Sequence, residues 1–216
     1  RTTEARHKKV VQKILQDLYD RGEIYQDNYD GWDCIPCERF WTEKDLIEGK
    51  CPDCLRSVNE ISEKNYFFRM SKYQSWLIDY IEKNDRFIFP TSRRNEILGF
   101  LRNPLEDLCI SRPKKRLKWG IEIPFDTEYV TYVWFDALIN YVTGIGYGSE
   151  GNPFSQFWPQ ATHLIGKDIL TTHTVYWPSM LKAIGLTLPK MVFAHGWWTI
   201  EGKMMSKSLQ NVVEPN

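Results

Sequence analysis

The chain has 216 residues, 42% hydrophobic and 26% charged, and its 28 basic and 28 acidic side chains balance to a formal net charge of zero. This is ordinary globular composition with room for one large domain or two small ones, and it leaves any nucleic-acid binding to local patches rather than to a global field. No apolar run approaches the ~18 residues of a membrane-spanning helix and the first residues lack the apolar core of a secretion signal, so the expectation is a cytoplasmic setting with no membrane partner.

In chain order, residues 4–21 carry Val10, Val11, Ile14, Leu15 and Leu18 at helical spacing, with Thr3 as N-cap and Gly22 as the C′ stop. Residues 23–65 are short aromatic pieces between turn signals, too poor in aliphatic residues to own a large core, so a staple is expected there. A second helix is expected over 72–83, opened by a Ser71–Gln74 capping box, and a third from Thr91 or Ser92 to about Asn103. Residues 113–116 form a basic loop. From residue 129 the pattern turns to βα: a buried strand over 129–135, a helix over 137–143, a strand over 161–165, and a turn at Gly166-Lys167-Asp168. A helix over 169–183 follows, kinked by Pro178, and then a strand over 191–194. Strands alternating with helices predict a parallel sheet covered by helices.

Two motifs carry chemistry. Cys34-x2-Cys37 and Cys51-x2-Cys54 are separated by thirteen residues. Two residues between thiolates let one tight turn offer both sulfurs to one ion, and two such turns complete a closed tetrahedral shell, so the expected cofactor is a structural Zn2+. Cys109 stands apart and reads as a small buried hydrophobe. The segment 201–211, with Lys203, Ser206, Lys207 and Ser208, offers cations and hydroxyls suited to phosphate, though such a loop is also common as plain solvated surface.

Met205-Ser206-Lys207-Ser208 resembles the K-M-S-K-S signature of class I aminoacyl-tRNA synthetases. The wording His163–Leu181 and Tyr132–Tyr141, together with the knuckle context Gly31-Trp32-x-Cys34 and Arg39-Phe40-x-Thr42-Glu43, resembles the methionyl-tRNA synthetase family over nearly the whole chain. The resemblance implies a Rossmann-like α/β catalytic core interrupted by a zinc-knuckle insertion. Residues 1–21 would end the first Rossmann half, 22–106 form the connective insertion, and 107–216 form the second half. The implied reaction activates L-methionine with ATP and Mg2+ to methionyl-adenylate, then transfers it to the 3′ end of tRNA(Met). Lys207 and Ser206 would act on the ATP phosphates with Ser208, and Asp168 would sit in the active site. His195 and Gly196 would lie by the adenosine, and Trp134, Ala137, Leu138, Tyr141, Ile169 and His173 would line the methionine pocket. Arg112 would approach the tRNA acceptor end.

Two positions depart from the family. Met204 stands where the signature has its first Lys, with Lys203 one place earlier, and Leu138 replaces a frequent Pro. Read without the family, Trp134 is a core residue, His173 a structural histidine, Asp168 a helix N-cap, and Lys114–Lys118 a solvated loop. Both ends read as cut: the family's H-I-G-H motif and its anticodon-binding domain are absent, so this segment alone is expected to be nearly inactive. The competing reading is a non-enzymatic zinc ribbon that binds RNA or a protein. It accounts for the knuckle and the basic loop but not for the wording at 165–173. A cysteinyl or leucyl ligase is a third reading, opposed by Trp134 and His173.

Overall fold

The structure is a computed structural model that describes residues 1–37, 39–41, 43–52, 54–149, 151, 153–205 and 212–213, with the side chains of 39, 40, 203 and 204 outside the description. In chain order the elements are α1 (Ala5–Asp20), β1 (Ile24–Cys34), β2 (Arg39–Trp41), β3 (Asn59–Phe68), α2 (Gln74–Lys83), β4 (Ile88–Phe89), α3 (Thr91–Phe100), β5 (Leu108–Cys109), β6 (Ser111–Pro113) and β7 (Glu122–Ile123). They continue with β8 (Asp126–Thr131), α4 (Val133–Gly144), α5 (Phe154–Phe157), β9 (Thr162–Gly166), α6 (Trp177–Ile184), β10 (Met191–His195), β11 (Thr199–Ile200) and β12 (Lys203–Met204).

The α1 stripe behaves as its spacing predicts: Val11, Ile14, Leu15 and Leu18 are buried. Gly22, at φ 69°, closes the helix by donating its N–H to the Tyr19 carbonyl. The expected Thr3 cap is not formed. Glu4 occupies the N-cap without a side-chain bond, because its carboxylate is taken by Arg6.

β1 and β3 pair antiparallel from Ile24↔Phe68 to Asp33↔Asn59, a long arm flanked by β2 and β5. Its base is packed, with Ile24, Tyr66, Phe67 and Phe68 buried, whereas Asn59 and Glu60 near its tip are exposed. That gradient explains why residues 23–65 show no clean period of two.

α2 and α3 stand where periodicity placed them, but the Ser71–Gln74 capping box is replaced by a 3-10 turn over Met70–Tyr73. The Gln74 amide instead ties the end of α3, donating to the Leu101 and Asn103 carbonyls at 2.8 and 2.7 Å and accepting from Leu105 N–H at 2.9 Å. α3 ends at Phe100, short of the expected Asn103.

The strand expected over 129–135 is the largest difference. β8 stops at Thr131 and lies in an antiparallel sheet, β6-β8-β7. Val133 to Phe135 already belong to α4, so Trp134 is helical. Aromatic and β-branched residues satisfied the strand pattern, but burial of Phe135, Leu138, Ile139 and Val142 at helical spacing decides the conformation.

The expected parallel sheet is present as β4-β10-β9, with β10 parallel to both neighbours. β4 comes from the 22–106 stretch, so that stretch is woven into the sheet. The helix after β9 is not one kinked rod. A 3-10 turn over Lys167–Ile169 leads to a π-helical turn over Thr172–Tyr176 and then to α6. Pro178 has no N–H to give the preceding turn, and the wide turn absorbs the defect expected as a kink. One continuous apolar core joins α1, α2, α4 and α6 to the sheet, with Trp158 and Trp177 fully enclosed.

Candidate active site and metal centre

The tip of the arm gathers the four cysteines. Cys34 ends β1, Cys37 lies on the following 3-10 turn, and the tight turn Cys51–Cys54 is held by Leu55 N–H to the Cys51 carbonyl and Cys51 N–H to the Arg56 carbonyl. The four sulfurs all lie within 4.8 Å of one another, with Cys34–Cys54 at 3.6 Å and Cys37–Cys51 at 3.8 Å. Four thiolates on one ion at metal–sulfur distances of about 2.3 Å stand about 3.8 Å apart, so the set fits a tetrahedral metal. Burial pushes the Cys34 and Cys37 thiols above their ordinary range, and neighbouring sulfurs push the same way on Cys37. A cation is what such a cluster lacks electrostatically. Gly31 is required beside it: a side chain there would meet the Tyr29 hydroxyl at 2.6 Å and the Trp41 carbonyl at 2.9 Å.

The second centre lies at the C-terminal ends of β9 and β10, where open α/β sheets bind ligands. Alternation along β9 turns His163 and Ile165 inward and Leu164 outward. Trp134, Leu138 and Tyr141 fall at i, i+4 and i+7 on α4, with Ala137 beside Leu138. Tyr141 reaches the π-helical turn, its hydroxyl 2.8 Å from His173 Nε2, while His173 Nδ1 is 2.9 Å from the Ile169 carbonyl. A carbonyl only accepts, so Nδ1 carries the proton, Nε2 accepts, and the Tyr141 hydroxyl donates to it. Three of the six residues expected at the methionine pocket are thereby joined by hydrogen bonds. Leu138 is buried in the core, so it backs this face rather than opening onto it.

Beneath Tyr141 is His163, whose ring centroid is 4.2 Å from the tyrosine ring and whose Nε2 accepts from Trp177 Nε1 at 3.2 Å. Burial, and then the neighbouring His173, lowers the His163 pKa to about 4, and burial also lowers His173. Both rings are neutral at physiological pH, so the wall is polarisable and uncharged. Reading the sequence missed His163 and Trp177. The available signal was a histidine at an inward position of an otherwise apolar strand.

Asp168 leaves β9 at the turn. A side chain at Gly166 would collide with its carboxylate and touch His195 at 4.0 Å, which shows these residues converging. Asp168 is exposed, not a side-chain cap, because the N-cap of its short turn is Gly166 and has no side chain. His195 Nδ1 donates to the Gly196 carbonyl at 2.7 Å, and the space over Gly196 is open. Lys167 sits 5.3 Å over the Trp197 ring. β11 and β12 form a tight hairpin through Glu201 and Gly202, both at positive φ, directly before Met205. Ser206, Lys207 and Ser208 lie outside the described residues.

Arg112 is buried, donates to the Ser111 carbonyl at 2.6 Å and stacks 4.1 Å over Tyr132. Arg116, from the basic loop, bridges Asp33 and Glu63 on the arm and so fastens the arm near the cysteine cluster to the segment joining β6 to β7.

The family model described as tRNA synthetases class I (M) matches residues 1–62 and 56–216, and the chain belongs to that family. Among curated relatives it is similar to a methionine–tRNA ligase of Caldanaerobacter subterraneus subsp. tengcongensis, 52% identical over the whole chain and 34% of the relative. A second, from Clostridium acetobutylicum, is 55% identical over the whole chain and 33% of the relative. The chain thus spans about a third of the length of the curated relatives it matches. Among solved structures, Mycobacterium tuberculosis methionyl-tRNA synthetase bound by methionyl-adenylate superposes with a TM-score of 0.88 at 40% identity, over 99% of this chain and 43% of that one. Its apo form gives 0.82 over 91% of this chain.

Proposed function

We propose that this chain supplies the metal-bearing arm and the second half of the catalytic core of a methionine–tRNA ligase working in the cytoplasm. The observation that carries the reading is the Tyr141–His173–Ile169 network, which joins α4 to the π-helical turn beside the C-terminal ends of the parallel strands. Methionine's thioether is polarisable and flexible, and it suits the aromatic wall of Trp134 and Tyr141 with small Ala137 leaving room for an unbranched chain. Ile169 and His173 complete the pocket with Leu138 behind. Because the Tyr141 proton is committed to His173, the hydroxyl has no proton left for the thioether sulfur, itself only an acceptor, so the contact is one of packing.

The proposed chemistry has two steps. The methionine carboxylate oxygen attacks the α-phosphorus of ATP; the bond to the bridging oxygen breaks and pyrophosphate leaves with its electron pair. The terminal ribose hydroxyl of tRNA(Met) then attacks the methionyl carbonyl, AMP departs, and the hydroxyl proton passes to a phosphate oxygen or to solvent. Catalysis is positioning and charge stabilisation. Asp168 and His195 sit where the nucleotide meets the sheet, Gly196 lets the adenosine approach the backbone, and Lys207 with Ser206 and Ser208 holds the phosphates. Mg2+ accompanies ATP as counter-ion. Zn2+ on Cys34, Cys37, Cys51 and Cys54 is structural, since four thiolates leave no open position. Arg112 serves the acceptor end of the tRNA.

The test is ATP–pyrophosphate exchange by the full-length protein with methionine, leucine and cysteine supplied separately. Exchange with methionine alone, abolished in Lys207→Ala, is the expected result. No exchange with any of the three, from folded and metal-loaded protein, returns the chain to the zinc-ribbon reading.

A further inference from the structure

Four aromatic rings meet on one side chain that lies behind the proposed methionine face rather than on it. His163 turns inward from β9 beside Ile165, and only 6% of its surface is exposed. Its ring centroid lies 4.2 Å from that of Tyr141, 5.8 Å from His173 and 5.9 Å from Trp158, and its Nε2 accepts from Trp177 Nε1 at 3.2 Å.

The bond to Trp177 explains why a polar residue stands here. Trp177 is fully enclosed, its indole N–H needs an acceptor, and leucine at position 163 would supply none. A glutamine oxygen would serve that N–H as well, so the bond does not explain a ring. The ring carries Tyr141, whose side chain is 38% exposed on the proposed methionine face. The Tyr141 hydroxyl lies at the far end of that side chain, 2.8 Å from His173 Nε2, so a small tilt of the ring is magnified there and breaks the bond. His173 Nδ1 is already spent on the Ile169 carbonyl. While the Tyr141–His173 bond holds, neither residue has a proton to offer a ligand, and an oxygen-bearing side chain placed against them stays unpaired.

We propose that His163 is a positioning residue that sets specificity: bonded to Trp177, it holds the Tyr141 ring where the hydroxyl stays committed to His173, and so it excludes amino acids whose side chain ends in a hydrogen-bond acceptor stronger than a thioether. The inference rests on the proposed methionine–tRNA ligase activity and deepens it by naming what the pocket rejects and which buried group enforces the rejection. Without the ring beneath it, Tyr141 tilts, its O–H is released, and the face acquires a donor. Methionine, whose sulfur is a weak acceptor, gains little from that donor and loses the fitted wall. Methionine sulfoxide, the same chain with an oxygen on sulfur, gains a partner it otherwise lacks.

The experiment measures ATP–pyrophosphate exchange by the full-length protein with methionine and with methionine sulfoxide, in the unsubstituted form and in His163→Gln, Tyr141→Phe and the double variant. Gln keeps an acceptor for Trp177 and removes the ring. His163→Gln is expected to raise the KM for methionine with the KM for ATP unchanged, and to raise kcat/KM for the sulfoxide relative to methionine about tenfold. In the Tyr141→Phe background, where no hydroxyl remains to be released, the same substitution should leave that ratio where it was. His163→Asn, which also lacks the ring, repeats the measurement if the Gln variant does not fold. An unchanged ratio in a folded variant, or an equal rise with and without the Tyr141 hydroxyl, overturns the inference and leaves the ligase reading intact. Absence of methionine-dependent exchange in the unsubstituted protein removes the ligase reading itself, and this inference with it.

Discussion

The arm and the parallel-sheet half meet in one chain but are held together by opposite means. At the tip of the arm the buried residues are chiefly sulfur, with Cys34 and Cys51 fully enclosed while Ile35, Ile47 and Leu55 stay exposed. In the sheet half, Leu15, Phe135, Trp158, Trp177 and Val192 interlock in a core that needs no ion. The difference teaches where each region places its order. Metal geometry fixes a small surface exactly as far as its ligands reach, whereas dispersion and apolar burial fix a whole domain.

Chelation is the largest break in that comparison. Removing the metal, or making Cys51→Ser, should unfold the tip while far-ultraviolet dichroism and urea unfolding of the sheet half change little. Structural zinc sites contribute on the order of 10 kcal/mol or more in small domains. Metal analysis should give one equivalent per chain before treatment and a sharp drop in tip protection from hydrogen exchange after it. Loss of both regions together would make the core metal-dependent too.

A pH titration separates them next. His163 is held neutral by burial, with its pKa lowered from 6.5 to about 4. Between those values the unfolded chain binds a proton that the folded chain does not. Stability therefore falls as pH drops from about 6.5 to about 4, by up to about 3 kcal/mol from this group. Asp136, raised from 3.8 to about 6, works oppositely: over that window the folded chain holds the extra proton, so its term favours the acid side. Urea midpoints at pH 7 and pH 5 should show a smaller acid loss, or a gain, in His163→Gln than in the unsubstituted protein. Equal acid losses in both would dismiss the histidine.

The smallest effect sharpens the junction. Arg116→Ala removes the clamp on Asp33 and Glu63; the guanidinium is partly exposed but Asp33 is buried, so the loss expected is about 1 to 2 kcal/mol. Faster exchange of arm amides with an unchanged sheet half is the expected outcome.

What the sequence disclosed divides along the same line. Periodicity placed α1, α2, α3, β9 and β10, because each buries one regular face, and the cysteine spacing placed the metal cluster. The pairing of β1 with β3 was hidden, because Gln26, Asp27 and Asn28 face solvent on an arm buried only at its base. Residues 132–135 satisfied a strand pattern while the core demanded a helix. Tyr141 with His173 was visible only through resemblance; their hydrogen bond depends on a π-helical turn that no local propensity announces. His163 acquires meaning only once distant segments meet.

The ten paired positions from Ile24↔Phe68 to Asp33↔Asn59 have a consequence for how this protein tolerates length change. Strand side chains alternate faces, so rungs removed two at a time from the tip would leave every remaining residue on its own side. The base would stay anchored by Phe67 and Phe68 against β5. The arm is in this sense a mast of adjustable height: its summit can be exchanged without resetting its foot, while the two-residue strand β4, stitched into the sheet, permits no such editing.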